Sequence, residues 1–150
     1  MIKDYSIEDR WIEVKEPIVE YYGSDALNKL TYAIIGACFD VHNELGQGFL
    51  EAVYKDALEI ELKKRNINFE RERKYKISYK GVTLPHFYYA DFVIENQVIL
   101  ELKAQEGDME EHYKQVINYL AVSTCEIGLL INFGTSSLKY KRILLTKKSV

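Results

Sequence analysis

Proline and cysteine are scarce in this chain of 150 residues, with two of each. So few prolines, beside a hydrophobic share of 47%, exclude a disordered polypeptide and fit one domain with a workable core. Cys38 and Cys125 lie far apart in sequence and show no metal-ligand spacing, so they read as reduced, buried thiols. No long apolar run is present, and no basic-then-apolar leader opens the sequence. The expectation is therefore a soluble, cytoplasmic protein with no membrane partner. An excess of positive charge is also missing. The net charge of −3 argues against a basic, sequence-blind coat for DNA.

What is present is uneven. Tyrosine is abundant, at 12 residues, and supplies amphipathic side chains for surfaces or a cleft. Residues 1–25 carry three basic against seven acidic side chains, whereas residues 63–80 carry eight basic against two acidic. The second patch reads either as a phosphate-contacting flank or as a solvated edge strand guarded by lysines.

Periodicity predicts the order of elements. Ile7 to Val19 has weak periodicity and reads as a short helix ending near Pro17, or as an arm. Leu30, Ile34, Ala37, Cys38, Val41 and Leu45 recur at steps of three and four, which predicts a helix over 26–45. Ser24 or Asp25 is placed to cap it, and Gly46 to end it. A second helix is expected over 49–65, with Leu50, Val53, Ala57, Ile60 and Leu62 on its apolar stripe. Strands follow at 67–80, 83–94 and 98–104, with a turn at Lys80-Gly81. Asp108 and Glu111 have capping-box spacing and predict a third helix through Thr124. Ile127 to Asn132 is wholly apolar up to its last residue and reads as a buried central strand; Leu138 to Thr146 reads as the last.

The richest stretch runs from Asp91 to Lys103. Two β-branched runs flank the polar loop Glu95-Asn96-Gln97, yet Asp91, Glu101 and Lys103 sit inside those runs. A buried charge costs several kcal/mol unless it is paired or binds a metal. With that loop Ile94 faces Val98 and Asp91 faces Glu101; Lys103, two residues further, shares the side of Glu101. Two carboxylates about 5 Å apart repel unless one is protonated or a cation lies between them. Hard oxygen donors with incomplete coordination suit Mg²⁺, which keeps waters and takes phosphate oxygens from a substrate. The neighbouring lysine would stabilise an anionic transition state or orient an attacking water. The alternative is a structural ion pair at a strand end.

The order helix, D…ExK hairpin, helix, strand resembles the PD-(D/E)XK nuclease superfamily. The segment Leu45-Gly46-Gln47-Gly48-Phe49-Leu50-Glu51-Ala52-Val53-Tyr54 is similar to the signature of its GxxExxY branch, with Gly48, Glu51 and Tyr54 at the named positions. The resemblance covers roughly residues 26–146. It implies an α/β fold with a restriction-endonuclease-like core, a central mixed sheet of about five strands flanked by helices. Residues 1–25 would be an arm or short helix, and 26–150 the nuclease-like domain.

The resemblance also implies roles. Asp91 and Glu101 match the metal-binding carboxylates and Lys103 the catalytic lysine. Glu51 matches the helix acid that completes the metal site, with the Leu102 carbonyl as an extra ligand. Gln115 and Tyr119, four apart on one helix face, match a Gln-xxx-Tyr pattern that would border the cleft and contact nucleic acid. His42 precedes the glycine motif where the family tends to carry a histidine; with Tyr54 it is a site-supporting candidate. Ala90 stands where the family name has proline. The implied cofactor is Mg²⁺ or Mn²⁺, and the implied partner DNA or RNA. The acidic cluster Glu106, Asp108, Glu110 and Glu111 follows the site and would repel nucleic acid approaching there. Three functions follow: a divalent-metal-dependent nuclease, a catalytically inactive module of the same fold binding nucleic acid or protein, and an assembly protein whose tyrosine-rich surface forms a homo-oligomer.

Overall fold

Apolar residues at helical spacing build α1 (Asp25–Leu45), which buries Ile34, Ile35, Ala37, Cys38 and Val41. Gly46 ends it as expected: its φ is +68°, in the left-handed region open to glycine, and its N–H bonds the His42 carbonyl at 2.8 Å. Helix α2 (Glu51–Lys64) starts two residues later than its periodicity suggests. It buries Tyr54, Leu58 and Leu62, while Leu50, Val53 and Ile60 of the expected stripe are exposed. The computed structural model describes residues 11–14, 25–107 and 109–145.

The strands are β1 (Trp11–Val14), β2 (Phe69–Tyr79), β3 (Val82–Ile94), β4 (Val98–Lys103), β5 (Ile127–Asn132) and β6 (Lys139–Leu145). They form one mixed sheet in the order β1-β6-β5-β4-β3-β2. Only β4 and β5 are parallel; α3 (Glu110–Val122) makes the crossover between them. The five strands read from sequence are all there, and β1 adds a sixth. Of the two readings of 7–19, a helix or an arm, the helix does not hold at Trp11–Val14, which pairs antiparallel with residues 142–145 at the sheet edge. The rest of 7–19 lies outside the described residues, as do Ser24 and Asp108. Met109 stands at the N-cap of α3 and makes no side-chain capping bond.

The sheet separates two cores. Helices α1 and α2 pack with Phe92, Ile94, Leu100, Leu102, Leu129 and Ile131 on one face. Helix α3 packs with Val93, Ile99, Leu130 and Ile143 on the other. Burial of β5 on both faces explains its unbroken apolar run. Cys38 and Cys125 are buried and unbridged, and burial pushes the Cys38 thiol well above its ordinary range.

The β2–β3 pair does something the alternation rule does not anticipate. Phe69, Phe92 and Ile94 pack toward α1 and α2. Tyr75, Tyr88 and Ala90 have the same parity along their strands, yet they pack toward α3. The two strands thus exchange faces at Glu72 and Asp91. Glu72 has φ +52°, which rotates the peptide planes and reverses the alternation. The β3–β4 ladder ends at the same place, after Ile94↔Val98, Val93↔Ile99 and Phe92↔Leu100. Beyond it β2 and β3 continue as a two-stranded ribbon to the turn at Lys80-Gly81.

Tyr54 belongs to this framework. It is fully buried and stacks on Phe133 with ring centroids 4.6 Å apart. Its hydroxyl donates to the Gly46 carbonyl at 2.6 Å and accepts the Phe49 N–H at 3.2 Å. It therefore staples the loop between α1 and α2. Tyr54→Phe leaves both backbone groups without this partner, and urea melts will show a loss of about 1–2 kcal/mol.

Candidate functional site

The end of the β3–β4 ladder makes a fork, and Asp91 sits in it. Its Oδ2 accepts the Leu102 N–H at 2.9 Å, and its own N–H points to Glu101 Oε2 at 3.4 Å. Carboxylate oxygens replace the backbone partners a continuing ladder would supply. Counting from the loop places Asp91 opposite Glu101, and the structure brings them together in a splayed gap rather than on a flat face. The loop itself is closed by Gln97 N–H to Ile94 O, with Glu95 and Asn96 at φ +51° and +54°.

Asp91 is 5% exposed and Glu101 2%. Burial and then the charge of Asp91 raise the Glu101 carboxyl, with Lys103 opposing, to about 8. The Lys103 ammonium lies 3.6 Å from Glu101 Oε1. With both carboxylates ionised, Lys103 alone would leave the fork one positive charge short.

The sequence reading missed the side chain that answers this. Lys55 of α2 places its ammonium 2.6 Å from Asp91 Oδ1, 3.2 Å from Glu51 Oε1 and 3.5 Å from Glu72 Oε1. Burial lowers the lysine, and the hydrogen bonds and charges of Asp91 and Glu51 outweigh it, so the ammonium is held firmly protonated. In sequence, Glu51 and Lys55 look like an ordinary surface pair at i,i+4. Only the docking of α2 against β2 and β3 turns that pair into part of the fork.

Other groups brace the rim. Phe133 N–H bonds the Lys103 carbonyl at 2.8 Å. Asn132 receives the Gln105 N–H at 3.2 Å and donates to the Gln105 carbonyl at 2.8 Å, which fixes the chain leaving Lys103. The bracing needs Gly134, since a Cβ there would meet Gln105 N at 2.2 Å. His112 pairs with Gln105 Oε1 at 3.0 Å, and burial followed by the Lys103 charge lowers its pKa.

The remaining candidates divide. Gln115 donates to the Tyr119 hydroxyl at 2.7 Å, so the expected shared face exists. Tyr119 is buried against Tyr88, at 5.4 Å between ring centroids, and is not an open contact surface. Burial first, then the charges of Glu101 and Asp91, raise its phenol, so it lies within their field. His42 is elsewhere: it is buried, donates to the Thr135 carbonyl at 2.9 Å and packs near Phe133. It ties α1 to the loop after β5 and makes no contact with the fork. A cleft of about 520 Å³ beside Gly107, Asn132 and Lys141 touches none of the fork carboxylates.

Asp91, Glu101 and Glu51 offer the hard oxygen donors that a small divalent cation takes. Among the described residues no three His, Cys, Asp or Glu side chains are gathered closely enough to hold an ion. The Lys55 ammonium stands between Asp91 and Glu51 instead. The donor chemistry suits such an ion, but as the side chains stand they do not gather around one.

The buried pair makes the metal-free protein sensitive to pH. Glu101 ionises near its ordinary value of 4.5 when the chain is unfolded but near 8 in the fold. Between those values the folded form holds the extra proton, so stability falls as pH rises. Thermal melts of metal-free protein from pH 5 to 8 will show this decline, and Glu101→Gln will flatten it. An equal slope in the variant would refute the assignment.

Among the described residues no helix is long and apolar enough to cross a membrane. The crystal structure of SSO0001 shares this fold, at TM-score 0.53 and 20% sequence identity over 65% of the present chain. The present chain spans about half the length of that one, 50%. No curated protein matches the sequence. The family model of the PD-(D/E)XK nuclease superfamily matches residues 28–143, the span that carries α1, α2, the fork and α3. On that match over most of its length, the chain belongs to the PD-(D/E)XK nuclease superfamily.

Proposed function

We propose that this protein is a divalent-metal-dependent nuclease that hydrolyses phosphodiester bonds of DNA or RNA, and that it falls in the GxxExxY branch on Gly48, Glu51 and Tyr54. The observation that carries the reading is the fork, where Asp91, Glu101 and Lys103 converge at the point where β3 leaves β4.

In this reading Asp91, Glu101 and Glu51 hold Mg²⁺ or Mn²⁺, with the Leu102 carbonyl as a further donor. Bound there, the ion would acidify a water and neutralise charge on the scissile phosphate. Lys103 orients the attacking water or stabilises the charge that builds on the phosphate. The Leu102 N–H keeps Asp91 aimed into the fork. Gln115 and Tyr119 support the floor beneath the carboxylates. Lys55 is the counter-ion of Asp91 and Glu51 before metal arrives, and its four-carbon stem lets it swing away.

A second reading, the inactive module, draws support from the same lysine, because Lys55 already neutralises two of the acids. One titration separates them. Calorimetry with Mn²⁺, followed by incubation with labelled single- and double-stranded DNA and RNA with and without EDTA, will give a stoichiometric site and EDTA-sensitive cleavage. Binding of nucleic acid with neither a metal site nor cleavage would favour the module.

A further inference from the structure

Among the described residues nothing covers one face of the β2–β3 ribbon beyond the fork. Tyr75 and Tyr88 turn toward α3. The opposite face carries Lys74 across from Tyr89 and Lys76 across from Phe87. Phe87 is 39% exposed and Tyr89 49%. The Lys74 ammonium lies 3.8 Å above the Phe87 ring. Residues 73–90 contain Arg73, Lys74, Lys76 and Lys80 and no Asp or Glu, in a chain whose net charge is −3.

The structure also divides the basic segment 63–80. Lys63 pairs with Glu59, Lys64 with Glu61, Arg65 with Asp40, and Arg71 with Asp56 and Glu59. Those charges are answered within the protein. Among the described residues no ion pair joins Lys74, Lys76 or Lys80 to a carboxylate. Arg73 pairs with Glu70 at 3.6 Å, so within 63–80 the unanswered charge among the described residues is that of Lys74, Lys76 and Lys80, on the ribbon beside exposed aromatic rings.

Position gives this face its meaning. Phe87 and Tyr89 lie on the side of β3 away from α3, and Asp91 turns to that side to meet Lys55 of α2, so the face leads to the fork carboxylate. Four residues of strand span roughly 13 Å, the length of about four stacked nucleotides. Lysines suit a phosphate backbone, and aromatic planes suit bases whose faces are free. Bases in a duplex are stacked on one another and offer only edges, so the exposed planes of Phe87 and Tyr89 find partners only where bases are unpaired.

The geometry points to single-stranded nucleic acid as the ligand of this face, its unpaired bases stacked on Phe87 and Tyr89 and its phosphates held by Lys74 and Lys76, leading a strand to Asp91. The inference deepens the nuclease reading and rests on it for the direction of the strand. Its test does not depend on turnover. Fluorescence anisotropy in EDTA compares labelled twelve-nucleotide poly-dT and poly-U with a hairpin duplex of equal length. The expected result is single-strand binding at least about tenfold tighter than duplex binding. Phe87→Ala with Tyr89→Ala weakens the single strand by about tenfold or more, with an unchanged melting curve. Phe87→Leu with Tyr89→Leu keeps apolar bulk without the aromatic plane and also weakens it; wild-type binding in that variant overturns the stacking. Lys74→Gln with Lys76→Gln lowers the salt dependence by about two phosphate contacts.

Duplex binding as tight as single-strand binding overturns the inference. So does a solution dimer that the aromatic variants dissolve, which would make the face a contact between copies. Duplex cleavage in Mn²⁺ that ignores the aromatic variants also overturns it and leaves the nuclease reading standing. Tight single-strand binding by a protein that cleaves nothing does the reverse.

Discussion

Asp91→Asn will abolish metal-dependent cleavage, and Lys103→Ala will slow it by about a hundred- to a thousandfold. The two losses have different origins, and metal titration separates them. The Asn side chain keeps an oxygen for the Leu102 N–H, so that contact survives, while its amide nitrogen replaces the oxygen that accepts from Lys55. It loses the charge that attracts a cation, so Mn²⁺ binding falls with activity. Lys103 lies 3.6 Å from Glu101 Oε1 and lowers the negative potential there. Its removal leaves the carboxylates more attractive to a cation, so Mn²⁺ binds as tightly or more tightly while turnover falls. Weakened Mn²⁺ binding in Lys103→Ala would remove the lysine from its assigned role.

Lys55→Met will destabilise the metal-free protein by about 2–4 kcal/mol, somewhat less than breaking a fully buried pair. The ammonium it removes touches Asp91, Glu51 and Glu72, and its side chain is 14% exposed. Without it Asp91 and Glu101 stand together with Lys103 as the remaining cation of the fork. Mn²⁺ no longer has an ammonium to displace, so it binds the variant more tightly and raises its melting temperature further than that of the wild type. Differential scanning calorimetry with and without Mn²⁺ reads both effects. A variant as stable as the wild type, with weaker Mn²⁺ binding, would show that the lysine supports the site rather than competing for it.

Much of this is legible in the sequence. Helical spacing located α1, with Gly46 as its stop, because a buried stripe and a left-handed cap leave direct traces in residue type. The loop at 95–97 located Asp91 opposite Glu101 because pairing in a hairpin is local arithmetic. The losses are tertiary. β1 is four residues long, too short for alternation to rise above noise, and its partner in β6 is more than a hundred residues away. Lys55 lies on the polar side of a helix whose surface pairs all look alike until the sheet is placed beneath it. His42 has the sequence position of a site residue, but the side of α1 it occupies meets the loop after β5. The reversal at Glu72 left no trace, since nothing in a glutamate announces a positive φ.

That reversal protects register. A β-strand that slips by one residue sends every side chain to the opposite face. A chain whose faces exchange part way along cannot make that error cheaply. A slip that satisfied the ribbon would turn Phe92 and Ile94 out of the core behind it, and a slip that satisfied those would turn Tyr75 and Tyr88 away from α3. The two halves of the hairpin proofread each other, and Asp91 stands where their demands meet. Its position is thereby fixed by two hydrophobic cores at once, rather than by the few polar contacts a functional carboxylate can make for itself.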